Sequence, residues 1–202
     1  MIRNCLISMA MIIVMIGFVY GQKKESLKIE RVIKPDFNAE KRVEIVMKYK
    51  DVIVKVNEGD TFLIKTNKGD IKIVLYPKEA PKTSENFKRL ALLGFYDGLT
   101  FHRYVENFVI QGGDPTGTGR GGSGYTIPLE ANASHIEGAV GLARGPNKDS
   151  GTCQFYITLS PQKGLDGEYT VFGKVIEGMD VVKKLRQNDK IEKIDLAEKK
   201  AK

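Results

Sequence analysis

Between Thr61 and Leu196 the chain changes character every few residues, and this punctuation restricts its folds more than any other feature. Thr61–Thr66 and residues 71–76 alternate apolar and polar side chains around Asn67-Lys68-Gly69-Asp70, a hairpin pattern. After Asp97-Gly98 further short runs of strand character follow at 100–105, 108–111, 139–143, 154–159 and 170–175. Ile191–Leu196 closes the series. Two stretches carry helical spacing instead. In the first, Pro77 and Pro81 break the strand, Thr83 is a candidate N-cap, and Phe87, Leu90, Ala91 and Leu93 recur before Gly94 ends the helix. In the second, Val181, Val182 and Leu185 follow Gly178. Many short strands with two helices predict an all-β sandwich or barrel.

The N-terminus has another composition. Arg3 precedes an almost wholly apolar run from Cys5 to Tyr20, and Val19-Tyr20-Gly21 offers small residues at the positions a signal peptidase reads, before Gln22-Lys23-Lys24. Residues 1–21 therefore read as a secretory signal, which implies an exported protein, periplasmic or secreted. The run is shorter than the roughly 20 residues of a spanning helix, and an uncleaved membrane tether is the alternative. Cleavage would remove Arg3 and no acid, leaving 31 basic and 25 acidic residues. Much of that excess lies in Lys23–Lys50 and in the charged tail at 198–202. It is not interleaved with aromatics, so a solvated basic surface is expected and no nucleic-acid partner.

Of the two cysteines, Cys153 alone would survive cleavage, so no intramolecular disulfide is available. One thiol with His102 and His135 cannot assemble a zinc site, and neither metal nor cofactor is expected. Gly117-Thr118-Gly119-Arg120-Gly121-Gly122 satisfies the G-x-G-x-x-G spacing, yet Pro128 follows where a phosphate-binding helix would run. The stretch is therefore expected to be a glycine-rich loop. Residues 22–60 form a basic extension whose two apolar runs, 43–47 and 52–56, suit either an extra hairpin or a helix.

The chemically informative stretch is Phe101-His102-Arg103-Tyr104-Val105-Glu106-Asn107-Phe108-Val109-Ile110-Gln111-Gly112-Gly113-Asp114. Taken alone, Arg103 is an ordinary surface charge. In its setting the stretch resembles the cyclophilin signature, in which Phe-His-Arg is followed by a phenylalanine five residues after the arginine and then by Gln-Gly-Gly-Asp. Residues 80–87, Gly141-Leu142-Ala143-Arg144, Gln154-Phe155-Tyr156-Ile157, Leu165-Asp166-Gly167 and Val171-Phe172-Gly173 follow that family's order. The similarity spans roughly residues 61–196. It implies a mainly β fold, a closed eight-stranded antiparallel β-barrel capped by two α-helices, with the isomerase domain at 61–197. It also implies peptidyl-prolyl cis-trans isomerase activity on proline-containing polypeptides, with a monomer as the default state.

By the same resemblance Arg103, Phe108 and Gln111 are the catalytic residues. Val109, Ala143, Arg144, Gln154, Tyr156, Leu165 and Tyr169 would bind substrate. The rivals are a non-catalytic binder of proline segments and a holdase chaperone. Several positions depart from the family pattern: Val109 stands where methionine is frequent, Tyr156 replaces phenylalanine, and Tyr169 replaces histidine. The Tyr156 hydroxyl needs a partner if buried. Gly164 occupies the place of the tryptophan that cyclosporin-sensitive members carry. Cyclosporin is accordingly expected to bind no tighter than micromolar by calorimetry, and nanomolar affinity would contradict that assignment.

Overall fold

The computed structural model describes residues 29–197; the candidate signal at 1–21, residues 22–28 of the basic extension and the charged tail at 198–202 lie outside it. Eight strands form one antiparallel sheet: β1 (Thr61–Thr66), β2 (Gly69–Leu75), β3 (Arg103–Val105), β4 (Val109–Gly112), β5 (Ala139–Leu142), β6 (Phe155–Thr158), β7 (Val171–Glu177) and β8 (Ile191–Leu196). They are ordered β3-β4-β6-β5-β7-β2-β1-β8. Three α-helices accompany them, α1 (Ala39–Tyr49), α2 (Pro81–Leu93) and α3 (Met179–Lys184).

The sheet curls into an open half-barrel rather than the fully closed barrel expected. Its end strands, β3 and β8, do not pair. β3 is only three residues long. The seam is spanned by one isolated antiparallel bridge, Thr100 opposite Lys190, whose backbone bonds reach the first residue of β8. Gly98 N donates to Ile191 O at 2.8 Å, Ile191 N to Leu99 O at 2.8 Å, and Phe101 N to Asp189 O at 2.9 Å.

Period-two alternation fills the interior. Phe62, Ile64, Ile71, Ile73, Ile110, Phe155, Ile157 and Phe172 are buried in one core with Phe87 and Leu90 of α2. Phe87 sits at its centre, 5.2–5.7 Å from the rings of Phe62, Tyr96, Phe155 and Phe172. The helix around it ends as expected, with Gly94 left-handed at its C-cap. Its start differs. Ala80 is the cap residue, Pro81 opens the first turn, and the free N–H groups of Lys82 and Thr83 donate to the Glu130 carboxylate at 3.0 and 2.9 Å. A carboxylate supplied from a distant loop replaces the local Thr83 cap, whose hydroxyl also donates to Glu130 at 2.7 Å.

The described part of the basic extension, residues 29–60, is folded onto this body. Residues 43–47 are helical within α1, whose first turn is capped by the Asn38 side chain accepting from Lys41 N at 2.9 Å. Arg42 and Val46, one turn apart, are its buried residues. Residues 52–56 form no strand, because side chains of α2 satisfy their backbone: Val54 N donates to Glu85, while Val52 O accepts from Arg89 and Lys55 O from Lys88.

Arg42 is the clamp between extension and barrel. Only 1% of it is exposed, and it donates to four carbonyls: Phe37 O at 2.8 Å, Phe95 O at 2.7 Å, Pro35 O at 2.7 Å and Asp97 O at 2.9 Å. Burial lowers its pKa, opposed by the charges of Asp97 and Asp36. Each buried acceptor left unsatisfied costs about 1–3 kcal/mol. Arg42→Met should therefore reduce stability by at least about 3 kcal/mol in urea unfolding, whereas a loss below 1 kcal/mol would show that the clamp is dispensable.

Candidate active site

Sheet register builds the site. Arg103 of β3 faces Gln111 of β4, Gln111 faces Tyr156 of β6, and Tyr156 faces Gly141 of β5. Four adjacent strands thus contribute one row of residues. Their neighbours Ile110, Phe155 and Ile157 belong to the core, so alternation leaves the row on the outer face.

Hydrogen bonds tie the row together. Arg103 Nη1 donates to Gln111 Oε1 at 3.3 Å, and Gln111 Nε2 donates to Gln154 Oε1 at 2.9 Å. Gln154 Nε2 in turn donates to Gly119 O at 3.1 Å and Gly121 O at 2.8 Å. The glycine-rich run is therefore a loop, as expected, and its carbonyls orient a site glutamine. Asp114 shapes that loop by accepting from Thr116 N at 2.7 Å and Gly119 N at 2.5 Å. A Cβ on Gly121 would lie 2.0 Å from the Asp114 carboxylate, so only glycine fits there.

Nine of the ten predicted site residues line one cavity of about 200 Å³: Arg103, Phe108, Val109, Gln111, Ala143, Arg144, Tyr156, Leu165 and Tyr169. Gln154 lines an adjoining cavity of about 420 Å³ that shares Gln111, Ala143 and Arg144 with the first. The Arg103 guanidinium stands 5.7 Å from the Phe108 ring centre. Across the cavity Arg144 stacks 4.3 Å over Tyr169 and donates to Glu168 O at 3.0 Å. A second arginine at this rim is thus already committed to protein partners, whereas Arg103 is exposed and, among the described residues, makes only the longer hydrogen bond to Gln111.

The Tyr156 hydroxyl does find a partner, one the sequence reading did not assign. His135 Nε2 lies 2.8 Å from it, and His135 Nδ1 lies 2.8 Å from Asp166 Oδ1. An ionised carboxylate only accepts, so Nδ1 carries the proton and Nε2 accepts from the phenol. Asp166 also accepts from His135 N at 2.7 Å. Gly141 makes room for the ring, since a Cβ there would lie 2.2 Å from Tyr156 Cζ. The two rings stack at 6.0 Å with 13° between planes. A tyrosine in place of phenylalanine was the sequence signal that such a partner was needed.

Cys153 is fully buried, and desolvation pushes its thiol up to about 12, so it is inert at neutral pH. Burial likewise lowers the pKa of both histidines, for His135 against the pull of Asp166 and for His102 against that of Asp114. Neither ring nitrogen of His102 has a hydrogen-bond partner among the described residues.

The chain belongs to the cyclophilin-type peptidyl-prolyl cis-trans isomerase family, whose description "Cyclophilin type peptidyl-prolyl cis-trans isomerase/CLD" matches residues 61–200. Peptidyl-prolyl cis-trans isomerase B of Bacillus subtilis is 47% identical over 127 residues, covering 61% of this chain and 88% of that protein. A Helicobacter pylori peptidyl-prolyl cis-trans isomerase is 45% identical over 136 residues, covering 65% and 83%. The crystal structure of a Cryptosporidium parvum cyclophilin superposes with a TM-score of 0.66 at 31% identity, covering 69% of this chain and 98% of that one. The same cyclophilin has also been solved in the presence of the dipeptide Ala-Pro, with a TM-score of 0.65. This chain is accordingly a peptidyl-prolyl cis-trans isomerase.

Two outcomes follow from the histidine environments. Tyr156→Phe leaves His135 Nε2 without a donor and should cost about 1–3 kcal/mol, while His135→Phe combined with Tyr156→Phe removes both polar groups and should regain most of it. Urea midpoints of the three forms check this. Because the folded chain holds the pKa of both histidines below the ordinary value, the unfolded chain binds protons first, near pH 6.5. Stability should be complete above about that pH and decline between pH 6.5 and 5, where ordinary carboxylates are still ionised; a flat midpoint across the range would contradict it.

Proposed function

We propose that this isomerase seats the proline ring of a polypeptide in the 200 Å³ cavity and lowers the rotation barrier with the Arg103 guanidinium. The observation that carries this is the placement of Arg103 at the cavity's edge, oriented by Gln111 and spared the partners that occupy Arg144.

The reaction needs little machinery. Rotation about an X-Pro bond interrupts amide resonance, with a barrier of about 20 kcal/mol. At the twisted midpoint the prolyl nitrogen regains its lone pair and can accept a hydrogen bond that the planar amide cannot. Arginine is always charged and offers several fixed donors. A donor aimed at that nitrogen stabilises the transition state and not the ground state, which is what raises the rate. An acceleration of about 10⁵ needs about 7 kcal/mol, of which one charged donor supplies about 3–4 by analogy with oxyanion donors. The remainder comes from holding the ring while the preceding carbonyl turns.

The other residues take roles in keeping with their places. Phe108, Val109, Tyr156 and Leu165 wall the ring, and Gln111 and Gln154 orient substrate backbone. Ala143 and Arg144 edge both cavities, so the polypeptide would run from one to the other, with Tyr169 at the rim. The Cryptosporidium parvum cyclophilin studied with Ala-Pro supports proline-containing segments as substrates. The basic and apolar N-terminal residues support exported polypeptides as clients and action outside the cytoplasm, and a monomer remains the default state.

Isomerisation of an X-Pro tetrapeptide by the full chain, beside Arg103→Ala and Arg103→Lys, tests the mechanism. Both variants should lose at least about tenfold in kcat/KM while keeping wild-type thermal stability. Unchanged rates in Arg103→Ala would remove the arginine from the mechanism and leave pocket binding as the whole effect.

A further inference from the structure

The extension before residue 61 lies outside the family match, yet its helix reaches the active-site loop. Gly124 marks the contact. A Cβ built there would lie 3.0 Å from Val43 Cγ1 and 3.0 Å from Met47 Sδ, so the loop backbone rests directly on one face of α1. A second observation extends this contact surface. Val43 and Ala39 of α1 line a shallow groove whose opposite wall is Pro115, Thr116 and Gly122 of the same loop.

The loop is otherwise held from within by Asp114 and at its far end by Tyr125, whose hydroxyl donates to Asn86 Oδ1 at 2.5 Å. Between these anchors stand the two carbonyls, of Gly119 and Gly121, that receive the Gln154 amide. Glycines leave this stretch little stiffness of its own. Its position therefore depends on what it lies against, and α1 is held to the barrel by the Arg42 clamp.

From this geometry we infer that α1 is part of the substrate-binding apparatus: Val43 and Met47 are positioning residues that set the glycine-rich loop and, through its carbonyls, the Gln154 side chain. The inference rests on the substrate-orienting role given to Gln154 under the proposed function. Loss of the contact should let the loop and Gln154 wander, weakening substrate binding. Arg103 lies two hydrogen bonds further along the row and should be affected less.

The test uses the full chain carrying Val43→Ala and Met47→Ala together, with Val43→Ile and Met47→Leu as the conservative control. Neither residue is among the acceptors of Arg42, which both variants leave in place. The expected result is a KM raised by about three- to tenfold with kcat within about twofold, and wild-type values in the control. Amide exchange at Gly119, Gly121 and Gly124 should quicken in the alanine form, and the Gln154 side-chain NH₂ resonances should shift. An alanine form with wild-type KM overturns the inference, whether or not its thermal midpoint falls, because α1 would then serve stability alone. If the wild-type chain itself fails to accelerate isomerisation, the proposed mechanism is what fails. The brace is then judged on the exchange rates and the Gln154 resonances, and their staying unchanged overturns it.

Discussion

Strand pairing between β3, β4, β6 and β5 is the constraint on which the rest of the molecule depends. Residues directly opposite in an antiparallel ladder share a face, and their sequence neighbours share the other. Burying Ile110, Phe155 and Ile157 therefore commits Gln111 and Tyr156 to the outside, and pairing brings Arg103 and Gly141 into line with them. A slip of one residue between β4 and β6 would expose two large core side chains and bury two polar ones. Core energetics and site geometry are thus one requirement, which is why a groove on the outer wall can be as well positioned as an interior cavity.

The row is then made rigid by partners that come from elsewhere in the chain. Gln154 is held by loop carbonyls some thirty residues earlier, and Tyr156 by His135, itself held by Asp166. Both devices use hydrogen bonds that are complete in one arrangement only, so they select orientation more than they add stability. The charged groups divide in the same way. Arg144 is spent on Glu168, Tyr169 and nearby carbonyls, whereas Arg103 keeps donors free toward the cavity. Under the proposed mechanism, such donors beside the cavity suit a reaction whose transition state gains one acceptor.

The extension shows how a segment without strand partners can still be ordered. Buried charged donors do the joining: Arg42 gathers carbonyls from the extension and from the turn after α2, while Arg89 and Lys88 satisfy the backbone of residues 52–56. Arg31 adds ion pairs with Asp97 and Asp195. Such contacts link residues more than thirty apart, so no local pattern announces them.

The sequence by itself determined the strand succession, α2 and α3 and the residues of the groove, because period-two and 3.6-residue patterns are local and the groove residues sit in contiguous signature blocks. It misjudged the start of α2, where Glu130 replaces a cap that Thr83 was expected to provide. Full closure also failed to follow, since three-residue β3 cannot carry the ladder to β8. It left residues 43–47 open between strand and helix, because an apolar run that short fits both until Asn38 and the Arg42 contacts decide. Only the tertiary structure decided what holds each groove residue in place. The partners of Gln154, Tyr156 and Arg42 are distant in sequence, and hydrogen bonds between distant segments leave no periodicity to read.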